Sequence, residues 1–285
     1  MTTLTEKTND NKIATVGVVG LGLIGASLAM ALRSKYRVLG CSRSRDTERY
    51  ALENGMIDGI ASLADMRGAA DCVAVCSPLW TLCDMVRAVY EAVGDSAVIT
   101  DVGSVKGVLE GLPGRIVGGH PMAGNEHSGI RAAKKNLFAG ATYCVVPYEN
   151  SREEDIRFVE RLACDAGARP MLLSATEHDR LAASFSHLPH MAAYALAEAA
   201  LRAGDGNIAG GGFYDSTRIA GSDPAFWTEV FRCNRANVLD AVDGYLNELT
   251  QLRDLLAREE YGALQERLAQ AQYKRRRLKR QKTKK

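Results

Sequence analysis

Histidine is scarce in this 285-residue chain, five in all, and one stands in GGHPMAG, residues 118–124, where Pro121 and the flanking glycines fix its backbone. Imidazole is the side chain best matched to taking a proton near neutral pH. Oxidation of an alcohol needs such a group, because removing hydride from a carbinol carbon leaves a positively charged oxygen unless a base takes the hydroxyl proton. His120 is therefore the candidate base. His187 and His190 lie together in SHLPH around Pro189, whose ring interrupts a helix and turns both imidazoles inward. Spacing of the H-x-x-H kind also suits zinc, but neither an HExxH pattern nor a third ligand accompanies it, and no metal is expected.

A second cluster reads as a phosphate cradle. VGVVGLGLIGASLAMAL places Gly20, Gly22 and Gly25 as G-x-G-x-x-G between a strand and a helix. In this arrangement the first glycine makes the tight turn, the second lets backbone approach a pyrophosphate, and the third lets helix pack on strand. Leu23 and Ile24 open the helix whose unpaired N–H groups face the anion. The second strand ends in GCSRSRD, so Ser42, Arg43, Ser44 and Arg45 occupy the place where an NAD-binding chain carries an acid for the ribose 2′-hydroxyl. Hydroxyls and guanidinium groups suit a 2′-phosphate, which favours NADP over NAD. Asp46 offers the alternative ribose ligand if the strand ends later. Ser77 and Asp101, at the carboxyl ends of later strands, complete the expected cofactor contacts.

Between about Ala14 and Leu173, short apolar runs alternate with helical stretches: 15–20, 36–41, 71–77, 97–102, 115–119, 142–147 and 168–173 read as strands. The pattern predicts an α/β fold, an N-terminal Rossmann-type doubly wound sheet over 14–174, followed by an all-α domain over 175–273. Ser174-Ala-Thr-Glu-His-Asp supplies capping candidates at the boundary, Thr176 standing three residues before Asp179. GDGNIAGGGFYD (204–215) interrupts the helices, and SDPAFW opens the next with Pro224 in its first turn. Leu239, Val242, Leu246, Leu249, Leu252, Leu255 and Leu256 form an apolar stripe that needs a partner surface, which predicts a homodimer through the helical half.

Composition bounds the rest. With 46% hydrophobic and 25% charged residues the chain is globular, not disordered. Residues 1–13 are polar, without the apolar core of a leader, and no window is long enough to span a membrane, so the cytoplasm is the expected address. Seven scattered cysteines form neither a disulfide scaffold nor a zinc pattern. The net charge of +2 hides an asymmetry: nine basic residues fall in 274–285, leaving −7 for the remainder. Read as a disordered solubilising tail, that block needs no nucleic-acid partner, since no aromatic residue interleaves the charges past Tyr273.

Five motifs in order, GLGLIGASLA (20–29), DVGSVKG (101–107), GGHPMAGNEHSG (118–129), SFSHLPHM (184–191) and GGGFYDSTRIAGSDPAFW (210–227), resemble the prephenate dehydrogenase family with its arogenate dehydrogenase relatives. The resemblance implies a nucleotide-binding domain, a helical dimerising domain and oxidative decarboxylation of a cyclohexadienol, prephenate or arogenate. It also implies site residues: Ser104 beside the reacting hydroxyl or orienting His120, Glu126 at the pocket mouth, Arg218 clasping a carboxylate with Asp215 holding its fork, and Gly211, His187 and His190 on the substrate side. Ser104 fits equally well as a helix N-cap, and Lys106 as a solvated lysine. His190 matches family members that take prephenate, whereas an NADP preference is common among those that take arogenate. A nucleotide-sensing regulator is the non-enzymatic alternative, which His120, Ser104 and Arg218 argue against.

Overall fold

The computed structural model describes residues 14–124 and 127–283. Its eight strands are β1 (Thr15–Val19), β2 (Arg37–Cys41), β3 (Gly59–Ile60), β4 (Cys72–Val75), β5 (Val98–Asp101), β6 (Ile116–Pro121), β7 (Thr142–Pro147) and β8 (Arg169–Leu172). They form one sheet in the order β3-β2-β1-β4-β5-β6-β7-β8, the reversal at β1/β4 marking a doubly wound fold. β6 and β7 pair antiparallel and β7 and β8 parallel, so the last two strands run against the other six. The reason is local: among the described residues between β6 and β7 there is no crossover helix, only a short turn of 3-10 helix at Ile130–Ala132.

Helices α1 (Leu23–Leu32), α2 (Arg45–Glu53), α3 (Leu79–Val93) and α4 (Glu153–Asp165) connect the strands. β1 and β4 are buried along their whole length, as a sheet covered on both faces requires. One apolar cluster packs α1 and α4 against one face through Leu28, Leu32, Val159 and Leu162. The other packs α3 through Leu82, Val86 and Val89 and takes in Trp227 and Val230 from the helical half.

Helices α5 (Ala175–Ala182), α6 (Leu188–Leu201), α7 (Gly211–Thr217) and α8 (Pro224–Cys233) follow, then α9 (Arg235–Ala257) and α10 (Tyr261–Thr283). Residues up to Arg235 form one compact unit, so α5 to α8 belong with the sheet, and 236–285 form a second. The cap of α5 is Ser174, whose hydroxyl accepts the Glu177 N–H at 3.2 Å, rather than Thr176. Pro189 does not interrupt the helix as expected. A π-helical turn at Ala183–His187 takes up the extra residue, and Pro189 falls in the first turn of α6, where a missing N–H costs little. α8 starts as the sequence indicates, with Asp223 accepting the Ala225 N–H at 2.8 Å ahead of Pro224.

Within the second unit, Arg267 of α10 bonds Glu248 and Gln251 of α9, at 2.5 and 2.9 Å. Leu239, Leu246, Leu249 and Leu256 along α9 are each about half exposed. The basic stretch from 274, expected to be disordered, continues α10 as far as Thr283. Lysine and arginine are good helix formers, and like-charge repulsion costs only a few tenths of a kcal/mol per pair. Among the described residues no helix is long and apolar enough to cross a membrane.

Candidate active site

One cleft of about 1340 Å³ runs across the carboxyl edge of the sheet, lined from β1, β2, β4 and β6 on one side and from the π turn, α6 and α8 on the other. Its nucleotide end is built by the glycine triad. Gly20 has φ +100, and a Cβ there would lie 2.5 Å from the Cys76 carbonyl oxygen. At Gly25 a Cβ would stand 1.9 Å from the Gly20 carbonyl oxygen, so helix and turn can meet only over glycine. Gly22 is different: a Cβ would meet nothing within 4 Å, leaving open space above the start of α1, where a diphosphate would lie. Gly22, Leu23 and Ile24 line the cleft there.

Ser42, Arg43 and Ser44 also line it, with Thr47 from α2. The Ser44 hydroxyl accepts the Thr47 N–H at 3.3 Å, and the buried Glu48 carboxylate accepts the Ser42 N–H at 2.9 Å. Arg45 turns away from the cleft toward Glu48, 3.7 Å distant. β2 ends at Cys41, so Asp46 falls inside α2, exposed and paired with Arg49 at 3.5 Å, and offers nothing to a ribose in the cleft. Ser77 lines the cleft with its hydroxyl buried and without a hydrogen-bond partner, an orphan that fits a ligand group still to arrive. These features fit a dinucleotide.

His120, the second-last residue of β6, lines the middle of the cleft and is 8% exposed. Its Nδ1 lies 2.8 Å from Nε2 of His178, and His178 Nδ1 lies 2.7 Å from Asp179 Oδ1. Asp179 also accepts the backbone N–H groups of Lys106 and Gly107, both at 2.8 Å. Against its burial, these bonds hold the Asp179 carboxyl below the usual carboxylate range. The charge then sets the tautomers in order. An ionised Asp179 takes the His178 Nδ1–H, His178 Nε2 takes the His120 Nδ1–H, and His120 Nε2 keeps its lone pair. Burial, together with His178, Lys106 and His187 nearby, drives the His120 pKa well below its ordinary value, so the ring is neutral and ready to accept a proton.

Ser104 lines the cleft too. It caps no helix, since the following 3-10 turn begins at Gly107 with Lys106 ahead of it. At the far wall His190 stacks on Trp227, ring centroids 3.5 Å apart, and Nδ1 of His190 donates to the Ser186 carbonyl at 2.9 Å. Arg218, in a 3-10 turn after α7, completes this end.

Several expected residues lie elsewhere. His187 is fully buried behind the wall, edge-on to Trp227, with Nδ1 3.2 Å from the Asn234 amide; burial brings its pKa down to about 4. Asp215 and Gly211 are exposed outside the cleft. Asp101, expected to contact the cofactor, does not line the cleft: it is buried and paired with Lys106, which is itself completely buried and not solvated. Glu126 lies outside the described residues. His178 and Asp179 were legible as a titratable pair at the domain boundary, yet in a row of capping residues nothing marked them as reaching across to β6. Thr47 carried no signal beyond helix composition, and Trp227 stood in a quoted motif without a role assigned to it.

Comparison with known proteins agrees with this arrangement. Residues 28–172 match the family described as prephenate dehydrogenase, nucleotide-binding domain, and residues 174–270 its dimerization domain. The prephenate dehydrogenase of Bacillus subtilis is 32% identical over 263 residues, 86% of this chain and 71% of that protein. The crystal structure of prephenate dehydrogenase from Aquifex aeolicus, in complex with hydroxyphenyl propionate and NAD+, superposes with TM-score 0.87 at 31% identity, covering 95% of this chain and all of the other. Arogenate dehydrogenase from Synechocystis superposes with TM-score 0.82, also at 31% identity, covering 93% and 99%. A glycine cradle for a nicotinamide dinucleotide, a neutral histidine at its edge and both domain matches lead to one conclusion: this oxidoreductase chain belongs to the prephenate dehydrogenase family.

Proposed function

We propose that the chain oxidises and decarboxylates prephenate to 4-hydroxyphenylpyruvate with NADP+, working as a homodimer. The observation that carries this reading is the line His120–His178–Asp179, which leaves a lone pair on His120 Nε2 in the same cleft as the glycine cradle and Arg218.

A bound nicotinamide supplies the acceptor for the hydride that leaves the carbinol carbon. His120 Nε2 takes the hydroxyl proton, and the positive charge this places on the imidazoles is balanced through His178 by the Asp179 carboxylate. Ser104 orients the hydroxyl. The bond to the ring carboxylate then breaks, CO2 leaves, and its electron pair makes the ring aromatic, the oxygen recovering its proton from His120. Arg218 pairs with a substrate carboxylate through two parallel hydrogen bonds. At the other end Ser42, Ser44 and Arg43, which line the cleft, would hold a 2′-phosphate. The dimerization-domain match and the exposed leucines of α9 support the homodimer.

Arogenate is the second reading: the family correspondence of His190 supports prephenate, but one bond of that side chain points the other way. With Nδ1–H committed to the Ser186 carbonyl, a neutral His190 offers Nε2 only as an acceptor, which complements an ammonium group better than a ketone. Initial rates with prephenate and with arogenate, each with NADP+ and NAD+, decide among the readings. Prephenate with NADP+ should give the highest kcat/KM; a preference for arogenate installs the second reading, and His120→Asn turning over at the full rate removes the assigned base.

A further inference from the structure

β5 and β6 pair through only two residues each, Ile99 with Ile116 and Thr100 with Val117. The ladder stops there, one residue before β5 ends at Asp101, while β6 runs on to Pro121. Side chains replace the ladder. Asp101 Oδ1 accepts the Gly119 N–H at 3.0 Å, and Lys106 Nζ donates to the Gly119 carbonyl at 2.7 Å and to Asp101 Oδ2. Asp101 Oδ2 also accepts the Gly103 N–H at 2.7 Å, and the Tyr148 hydroxyl donates to the Lys106 carbonyl at 2.8 Å. Both hydrogen-bonding groups of the residue preceding His120 are thus held by one ion pair with 0% and 1% side-chain exposure. Gly119 admits no side chain here, since a Cβ would stand 2.5 Å from the Asp101 carbonyl oxygen.

Burying two charges is costly, and an apolar pair of similar volume often packs as well. The pair stands where the β5–β6 ladder stops, at the residue before His120. We propose that Asp101 and Lys106 are positioning residues for His120: they take over the hydrogen bonds of β6 where its ladder with β5 stops and so fix the imidazole against His178 and the reacting hydroxyl. The inference rests on His120 being the proton acceptor. The Lys106 ammonium also belongs to the charged and titratable groups around that ring, with His178 and Asp179 from α5, His187 from the π turn and Asp101 from β5. Among them it helps keep His120 neutral.

The test replaces the pair as a unit, D101N/K106M, because K106M alone strands a buried carboxylate. NADPH titrated by fluorescence should bind with unchanged affinity, and substrate KM should stay within about twofold, while kcat falls roughly 100-fold, the loss expected when a reacting group is displaced by about 1 Å. By NMR the titration midpoint of His120 should move upward. A paired variant with wild-type kcat and an unmoved His120 titration overturns the proposal. So does weakened NADPH binding with kcat intact at saturation, which would return Asp101 to the cofactor. Lys106 of the unaltered enzyme should resist amine acylation under conditions where surface lysines react, and labelling at the surface rate overturns it without any variant. His120→Asn separates the two ideas: full turnover there removes the base, whereas the NMR and labelling results bear on the clamp alone.

Discussion

Asp179→Asn isolates the charge at the end of the histidine line while keeping its shape. The carboxylate accepts three hydrogen bonds: Oδ1 takes those from His178 Nδ1 and the Lys106 N–H, and Oδ2 that from Gly107 N–H. An asparagine has one acceptor oxygen, so its better orientation keeps Oδ1 in place and turns Nδ2 toward Gly107. One charge-assisted bond is lost and a donor faces a donor, which costs about 2–3 kcal/mol of stability. In the reaction His178 still finds an oxygen, but the imidazolium charge loses its anion. Replacing a charge-assisted bond by a neutral one weakens it by about 1–2 kcal/mol, or roughly 5–30-fold in kcat. Denaturant melts at pH 7 and kcat at saturating substrate and cofactor measure the two effects separately. The folded Asp179 carboxyl has a depressed pKa, so its stabilisation is complete above about pH 4, the unfolded value, and is lost as pH falls through the folded one. Asp179→Asn should therefore show a flatter acid loss than the unaltered enzyme. A variant that is destabilised as stated but turns over within twofold of the parent would refute the electrostatic role and leave Asp179 a brace for the 106–107 backbone.

Because burial, with His178, Lys106 and His187 nearby, depresses the His120 pKa, kcat/KM should hold its plateau from neutral pH down past 6.5, and a rate profile with its acid limb above 6.5 contradicts the assignment. His187, down to about 4, resists protonation when folded, so its contribution is whole above about pH 6.5 and shrinks by about 3 kcal/mol as pH falls to 4; His187→Phe should remove that slope from melts across this range. Gly25→Ala forces a Cβ to 1.9 Å from the Gly20 carbonyl oxygen and should cost about 3 kcal/mol or more in a thermal melt, whereas Gly22→Ala, with nothing within 4 Å, should fold normally and weaken NADPH binding in a fluorescence titration. Arg43→Ala should raise KM for NADP+ roughly 10–100-fold with little change for NAD+, and an equal effect on both would place the 2′-phosphate elsewhere.

The parts written in local pattern were readable from the chain. β-branched runs bounded by glycine gave seven of the strands, the triad gave the cradle, and Ser42, Arg43, Ser44, Ser104, His120, His190 and Arg218 all line the cleft. What escaped depends on contacts distant in sequence. His178 meets His120 across 58 residues, and Asp179 meets Lys106 across 73, while the local signal at both was that of a helix start. Asp101 sits where a cofactor ligand would, at a strand's carboxyl end, and only its contacts with Lys106 and the Gly119 N–H show that it turns inward. For His187 and His190 the three-residue spacing suggested a shared face, but the π turn ends at one and α6 carries the other, so only His190 reaches the cleft.

The order of parts along the chain has a consequence for how this enzyme comes into being. The nucleotide cradle closes with the first few dozen residues and His120 is in place by β6, but the two groups that orient it belong to α5, past the last strand. A polypeptide ending before residue 178 would lack the imidazole and the carboxylate that stand in line with His120. If His120 is the base proposed above, exchange of segments between homologues across that seam should preserve turnover only where the incoming α5 brings a matching histidine and acid.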